Sequence, residues 1–581
     1  MSTAVPLPHR VGPKADVPEV PFHALFLQLI NAQIQQNPER IAFIHDDNPN
    51  LPTVTFKQLL ESSLSFAHFI QSESLVQRGD IAAISLPSSW HYVLSIIGMP
   101  ANGAVLSGFS YRATIGEFVL STLFKFAFTD EALHQLRDSG AVVLMTTVEN
   151  YQRLSAIFDK LPNLRSIILL KTREYSKIRS LNSNHRLFDF DCILKNTTPK
   201  FDFNSVKINP KTDLLVLPYS SGTTGLAKGV MITHYNYVAM LVGLSTHAER
   251  EYTPVLEKYA PNIRRTHDYT VLILPLYHAM GFFSLVANVA RGNTVVLIQN
   301  YTEEKLFSAV QKYRPRVLTM IPGLYNRFLH SAKIKNYDLS SILSFGSGGS
   351  TLSSELSTQF QNRFKSVKMV TQGYGMTELT TAAFSTSQRA TPGSIGIALP
   401  NVEYRIVKDN GEEAGTNEEG ELWVRAPTVM LGYWKNEKAT SETIVKDGWL
   451  RTGDLVREDE NRQVFVVGRV KELIKVNSFQ VPPTELEGLI DKMPDVKDCA
   501  VIGIPDPSAG ELPRAYVVPR PNSKLTPKQV IDHVASRVSA YKQLRGGVEF
   551  VTEIPRSEAG KIARRRLLMD YLKKQETKSR L

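Results

Sequence analysis

Residues 213–230 read DLLVLPYSSGTTGLAKGV, and the change of character inside that stretch decides the fold. Asp213-Leu214-Leu215-Val216-Leu217 is an apolar run of strand length, ended by Pro218. The next residues offer the hydroxyls of Ser220, Ser221, Thr223 and Thr224, the glycines Gly222, Gly225 and Gly229, and the mobile charge of Lys228. Glycine admits positive φ and leaves backbone N–H groups uncovered. A strand feeding such a loop makes a cradle for a polyphosphate. A polar surface turn is the plainer reading, but turns rarely stack S-S-G-T-T-G ahead of a lysine. The common P-loop needs Gly-Lys-Ser/Thr as neighbours, and here Lys228 stands between Ala227 and Gly229. Gly346-Ser347-Gly348-Gly349 lacks the third glycine of a dinucleotide fingerprint.

Outward from that loop, strand and helix signals alternate. Residues 270–274 (TVLIL), 294–298 (TVVLI), 317–321 (VLTMI) and 341–345 (SILSF) read as strands, and 303–313 as a helix with Leu306, Phe307 and Val310 on one face. Pro322-Gly323 reads as the close of its strand. This rhythm predicts a mostly parallel sheet with helices on its faces, whose ligands collect at the carboxyl ends of the strands. GELWVRAPTVMLGYW (420–434) and NRQVFVVGR (461–469) read as antiparallel, and a boundary near 466–472 precedes a small α+β unit.

A chain of 581 residues exceeds one core and implies two or more domains. Its 43% apolar and 21% charged residues are ordinary for a globular protein. The N-terminus is proline-rich without an apolar secretory core, and the mildest membrane candidate, 92–109, contains Pro100 and several glycines. Two cysteines, Cys192 and Cys499, make no disulfide framework and favour a reducing compartment. The net charge of +11 gathers at the end: residues 561–581 hold eight basic residues against two acidic ones. Without interleaved aromatics this reads as a solvated terminal helix rather than a nucleic-acid surface, and it also suits an anionic ligand.

Three more stretches carry chemistry. In QGYGMTE (372–378), Tyr374 can lay its ring against a flat base and Glu378 can hold Mg²⁺ beside a triphosphate. GWLRTGDL (448–455) places Asp454 in a Gly-Asp turn, where a carboxylate can bridge two ribose hydroxyls. PRSEAGKIARRRL (555–567) carries Lys561 after a glycine, and LPLYHAMGF (274–282) sets His278 soon after a strand. Read singly, each has a bland alternative: a capped turn, a turn aspartate, one lysine in a basic tail, a core histidine.

Together, YSSGTTGLAKGV, QGYGMTE, GWLRTGDL, GRVKELIKV and PRSEAGKI follow the order and spacing of the adenylate-forming (AMP-binding) superfamily. The chain resembles its acyl-CoA synthetase, 4-coumarate–CoA ligase and luciferase-like branch from about residue 25 to 570. The resemblance implies an α/β fold: a large AMP-binding N-terminal domain (1–468) of doubly wound sheets plus a β-barrel-like part. A hinge joins it to a small, mobile C-terminal α+β lid domain (469–581). It also implies ATP-dependent activation of a carboxylic acid, a fatty or aryl-propenoic acid, to an acyl adenylate. Thioester formation with coenzyme A follows, with Mg²⁺ as cofactor. Luciferase-like oxidation of the adenylate and a non-catalytic nucleotide-binding relative are the alternatives.

By the same resemblance, Ser220, Ser221, Gly222, Thr223, Thr224, Gly225 and Lys228 wrap the ATP phosphates, with Thr224 and Glu378 as metal ligands. Gly348, Gly349 and Gly373 line the adenine and acyl pockets, Tyr374 flanks the adenine, and Thr377 touches the α-phosphate. Asp454 holds the ribose with Arg469, and Lys475 joins the cofactor-binding set. His278 stands beside the acyl carboxylate, Lys471 marks the hinge, and Lys561 enters the site for adenylation. Two positions depart from the pattern: Gly468 precedes Arg469 where an aspartate is common, and Ser478 replaces a glycine in Asn477-Ser478-Phe479-Gln480. Both bear on the thioester step. Residues 109–128 are about fifteen residues longer than the resemblance requires. They read as a lid or membrane-touching patch or, preferred, as a translated intron. Ser579-Arg580-Leu581 resembles the S-K-L peroxisomal signal. The expected partners are therefore the acid, ATP, coenzyme A and a peroxisomal import receptor, in the peroxisomal matrix. Nucleic acid and a transmembrane segment are not expected, and peripheral membrane contact stays open.

Overall fold

The computed structural model describes residues 10–110, 132–171, 184–203, 205–220, 227–261, 268–350, 352, 354–477, 479–556 and 561–579. Its largest sheet has nine strands. Six run parallel in the order Leu214–Val216, Val105–Gly108, Ile81–Ser85, Val143–Thr147, Ser166–Leu170 and Arg186–Asp189. Lys228–Thr233 and then Gly432–Tyr433 extend one edge antiparallel, and Tyr219–Ser220 pairs with Lys228–Thr233. The central strands are buried on both faces, so they carry apolar runs instead of alternation: all five residues of Ile81–Ser85 and of Val143–Thr147 are buried.

Two further sheets complete the doubly wound part. Tyr269–Leu272, Thr294–Leu297 and Ile41–His45 run parallel, with Val54–Thr55 at the edge. Val317–Met320, Ser344–Ser347 and Met369–Tyr374 also run parallel, followed by antiparallel Phe384–Ser385 and Ile397–Ala398. The helix Glu303–Tyr313 forms as its pattern predicts: Thr302 caps it by accepting from the Lys305 N–H, Leu306, Phe307 and Val310 are buried, and Arg314 ends it in the left-handed region.

Three local expectations are corrected. Pro322 does not close its strand; it opens the helix Pro322–His330, where its missing N–H costs nothing. The stretch 420–434 is not one antiparallel unit. Glu419–Arg425 joins a five-stranded antiparallel sheet with Glu403–Val407, Ile444–Val445, Trp449–Glu458 and Val464–Arg469, the β-barrel-like part, while Gly432–Tyr433 crosses to the nine-stranded sheet. Asp454 lies within the strand Trp449–Glu458, not in a turn. Its neighbour Gly453 takes φ +71°, which bends the strand without breaking it.

After Arg469 the chain builds a smaller unit with its own core. Ile474–Val476, Phe479–Val481, Val496–Asp506, Gly510–Pro519 and Val548–Phe550 form its sheet. Val476, Leu486, Val501, Val517 and Val530 pack beneath it. The terminal helix Arg564–Ser579 closes the unit. Among the described residues, no helix is long and apolar enough to cross a membrane. Residues 111–131, which hold nearly all of the extra stretch, lie outside the described residues, as does the terminal Arg580-Leu581.

Candidate active site

The phosphate loop hangs from a hairpin. Ser220 pairs with Lys228 and Tyr219 with Gly229, so the two ends of the loop meet as neighbours. Ser221, Gly222, Thr223, Thr224 and Gly225 lie outside the described residues. The flanks are bonded to the site: Ser220 Oγ donates to Glu378 Oε1 at 3.1 Å. Tyr433 Oη donates to the same oxygen at 2.8 Å, and Lys228 Nζ sits 4.1 Å from the centre of the Tyr433 ring. Burial, and then the neighbouring Glu378 carboxylate, push the Tyr433 hydroxyl far above its usual pKa, so it stays a donor. Sequence reading missed Tyr433. It reaches the site only because Val230 pairs with Tyr433 across about two hundred residues of chain.

A second carboxylate anchors the nucleoside side. Asp454 is 5% exposed, yet both of its oxygens are bonded: Tyr374 Oη donates to Oδ2 at 2.6 Å and Arg469 Nε to Oδ1 at 2.8 Å. The pairing of Asp454 with Arg469 on adjacent strands sets that ion pair. Tyr374 ends its strand, tied to Asp454 through its hydroxyl. Gly375 follows because nothing larger fits: a Cβ there would lie 2.1 Å from the Thr381 carbonyl oxygen.

Lys561 enters from the smaller unit. Lys561 is an exposed residue, yet desolvation by the protein packed around it lowers its pKa below the ordinary lysine value. Arg469 pushes the same way, and Asp454, Glu378 and Glu472 pull against it. His278 lies within electrostatic reach of Lys561: burial lowers the His278 pKa to about 4, with the Lys561 charge adding to the effect. The ring is neutral at physiological pH. Arg564 fixes the segment behind Lys561 by donating to Glu472 at 2.9 Å, to both oxygens of Glu487, and to the Val501 carbonyl. Neither Glu472 nor Arg564 was singled out in the sequence: Glu472 stood unremarked inside GRVKELIKV, and Arg564 was one charge of a tail read as a solvated helix.

The remaining expected residues divide into two groups. Gly348 directly follows the strand Ser344–Ser347 and Gly373 lies within the adjacent strand Met369–Tyr374, and a Cβ on Gly348 would meet Met280 Cε at 3.0 Å and the Gly373 carbonyl oxygen at 3.7 Å. Gly349 takes φ +83° beside Ile321, and Thr377 opens the short turn Thr377–Leu379 that carries Glu378. Lys471 and Lys475 stay outside this cluster: both are exposed, and the Lys475 N–H donates to Glu511 on the small unit's own sheet. Strand alternation explains Lys475, since its buried neighbours Ile474 and Val476 face the core. Ser478 lies outside the described residues.

Two family models match the chain: AMP-binding enzyme over residues 30–434, and AMP-binding enzyme C-terminal domain over residues 485–561. The chain belongs to the AMP-binding enzymes. A relative described as probable 4-coumarate–CoA ligase 1 of Dictyostelium discoideum is 32% identical, with 96% of each chain covered. Acyl-CoA synthetase 7 of Caenorhabditis elegans is 30% identical, covering 98% of this chain and 99% of that one. Among solved structures, the anthranilate CoA ligase AuaEII in complex with anthranoyl-AMP superposes with a TM-score of 0.77 over 93% of this chain and 96% of its own, at 24% identity, a likeness of fold. As an AMP-binding enzyme, the chain is an acid–CoA ligase: it activates a carboxylic acid as an acyl adenylate and passes the acyl group to coenzyme A.

Proposed function

We propose that the arrangement described here performs the adenylation half of that reaction on a medium- or long-chain fatty acid. Aryl-propenoic acids, suggested by the relatives described as 4-coumarate–CoA ligases, are the second reading. The observation that carries the proposal is the position of Lys561, within electrostatic reach of Asp454, Glu378 and His278, whose parent segments are far apart in the chain.

The chemistry follows from charge. A carboxylate oxygen attacks the α-phosphorus of ATP, the α–β bridging bond breaks, and pyrophosphate leaves. Anion approaches anion, so positive charge must stand where negative charge gathers. Lys561 supplies it at the α-phosphate, and Lys228 at the departing pyrophosphate. Asp454, held by Tyr374 and Arg469, accepts from the ribose hydroxyls. Neutral His278 lies against the acyl carboxylate without adding a competing charge. The coenzyme A thiol then attacks the acyl carbon and AMP leaves.

The donor set fits Mg²⁺. Glu378 is 6% exposed, and its two hydrogen bonds fall on Oε1, which fixes the carboxylate while Oε2 takes no part in them. Mg²⁺ is usually held by one or two carboxylates together with substrate phosphates. Among the described residues no cluster of three or more His, Cys, Asp or Glu could hold a metal alone, which suits a cation that arrives with ATP. Bound there, Mg²⁺ would neutralise phosphate charge.

The peroxisomal matrix is the proposed compartment, supported by Ser579-Arg580-Leu581 and an import receptor that reads it. The test supplies purified protein with ATP, Mg²⁺, coenzyme A and a panel of fatty and aryl-propenoic acids, scored for AMP and acyl-CoA by mass spectrometry. Acid-dependent AMP with matching thioester is expected. ATP left uncleaved between its α and β phosphates with every acid overturns the reading. A fluorescent fusion that reaches peroxisomes equally well without the last three residues overturns the targeting.

A further inference from the structure

Behind His278 lies a cavity of about 40 Å³ at the carboxyl ends of the parallel strands Ile81–Ser85, Val105–Gly108 and Leu214–Val216. Its walls are apolar, with Ile84, Leu106, Val216, Ile232, Leu276 and Phe282 among them. Thr380 and Thr381, which follow Glu378 by two and three residues, join it to the adenylation site. Two polar side chains in this lining do not fit a purely apolar function. Among the described residues, the His278 Nε2 atom is buried without a hydrogen-bond partner, and so is the Tyr237 hydroxyl. Tyr237 as a whole is only 3% exposed.

A buried hydroxyl without a partner costs stability that a phenylalanine would not. The ring itself is well placed for packing, with Phe22, Phe282 and Phe283 within 6.0 Å between centroids. Packing therefore explains the ring and leaves the oxygen unexplained. His278 is within electrostatic reach of Lys561 and so belongs with the reacting carboxylate, which leaves the Tyr237 hydroxyl for a part of the acyl group beyond it.

We propose that the acyl substrate carries a hydroxyl or carbonyl oxygen beyond its carboxylate, and that Tyr237 Oη hydrogen-bonds that oxygen inside this cavity. The inference rests on the adenylation reading above and names the class of acid that the site selects. A site built to bond a substrate oxygen discriminates against the analogue that lacks it, because the protein group is then left unpaired.

The test uses the full-length protein and pairs of acids matched in length: hexanoic with 6-hydroxyhexanoic and 5-oxohexanoic, octanoic with 8-hydroxyoctanoic and 7-oxooctanoic. Acid-dependent AMP formation gives kcat/KM for each. At one chain length the oxygenated acid is expected to lead its plain partner by about tenfold to a hundredfold. Tyr237→Phe keeps the ring and is expected to bring that ratio close to one. The wild-type ratio tests the proposal even if the variant does not fold. Plain acids preferred at every length, or an equal ratio in wild type and Y237F, overturn the assignment while leaving adenylation intact. AMP from no acid at all overturns both readings.

Discussion

The two walls of the site, nucleotide side and acyl side, treat their polar groups in opposite ways. On the nucleotide side every carboxylate is engaged: Glu378 by Ser220 and Tyr433, Asp454 by Tyr374 and Arg469. On the acyl side His278 Nε2 and Tyr237 Oη are buried without partners among the described residues. Saturated groups hold a geometry before the ligand arrives, at little reorganisation cost. Unsaturated ones make the protein pay a standing penalty that a matching ligand can relieve. The first wall therefore serves a substrate shared by many enzymes, and the second serves selection.

The comparison can be broken most sharply at Lys561, which belongs to neither wall. Lys561→Ala should lower adenylation by about a hundredfold or more, roughly 3 kcal/mol, and spare thioester formation from a presynthesised adenylate. Single-turnover assays of each half-reaction check this, and equal loss of both contradicts it. The charged ammonium is the active form and its pKa is lowered. The adenylation rate should therefore fall with rising pH before an ordinary lysine would lose its proton, and this limb should vanish in the variant.

Asp454→Ala comes next. It strands the Tyr374 hydroxyl and the Arg469 guanidinium, and kcat/KM for ATP should drop by about tenfold to a hundredfold, with the ranking of acids preserved. A changed acid ranking would mean that the two walls are not separate. Tyr433→Phe removes one of the two bonds on Glu378 Oε1 and should cost about fivefold in adenylation, near 1 kcal/mol. Titration of the Mg²⁺ requirement should show it weakened in that variant. The smallest effect is expected for Ser478→Gly, a gain of a few-fold in thioester formation alone, since it removes a Cβ and a hydroxyl from the backbone. A change confined to adenylation would contradict it.

Much of the first wall was legible in the chain, because phosphate and ribose chemistry demands particular residue types close together in sequence. Ser220, Lys228, Glu378, Asp454 and Lys561 stand out for that reason. What stayed hidden depends on pairing over long separations. Tyr433 looks like any aromatic beside a glycine until an edge strand lays it on Lys228. Tyr237 reads as the apolar face of the helix His234–His247 until its hydroxyl is found without a partner. Asp454 suggested a turn because Gly453 does mark a positive φ, but strand pairing on both sides carries the chain through the bend. The doubly wound architecture could be read from its apolar runs, whereas the crossing of Gly432–Tyr433 to a distant sheet left no periodic trace in two residues.

The grip of Arg564 on Glu472 and Glu487 sets the mechanics of the small unit. Glu472 follows the hinge candidate Lys471 directly, and Lys561 lies three residues before Arg564. A swivel on the N-terminal side of Glu472 would therefore swing Lys561 as the tip of a stiff crank, with no ion pair torn along the way. A swivel on the far side would have to wrench Arg564 from Glu472 at every turnover. Were the small unit to turn, its axle would therefore lie in the few bonds before Glu472, and the lysine at its tip would be withdrawn or delivered whole.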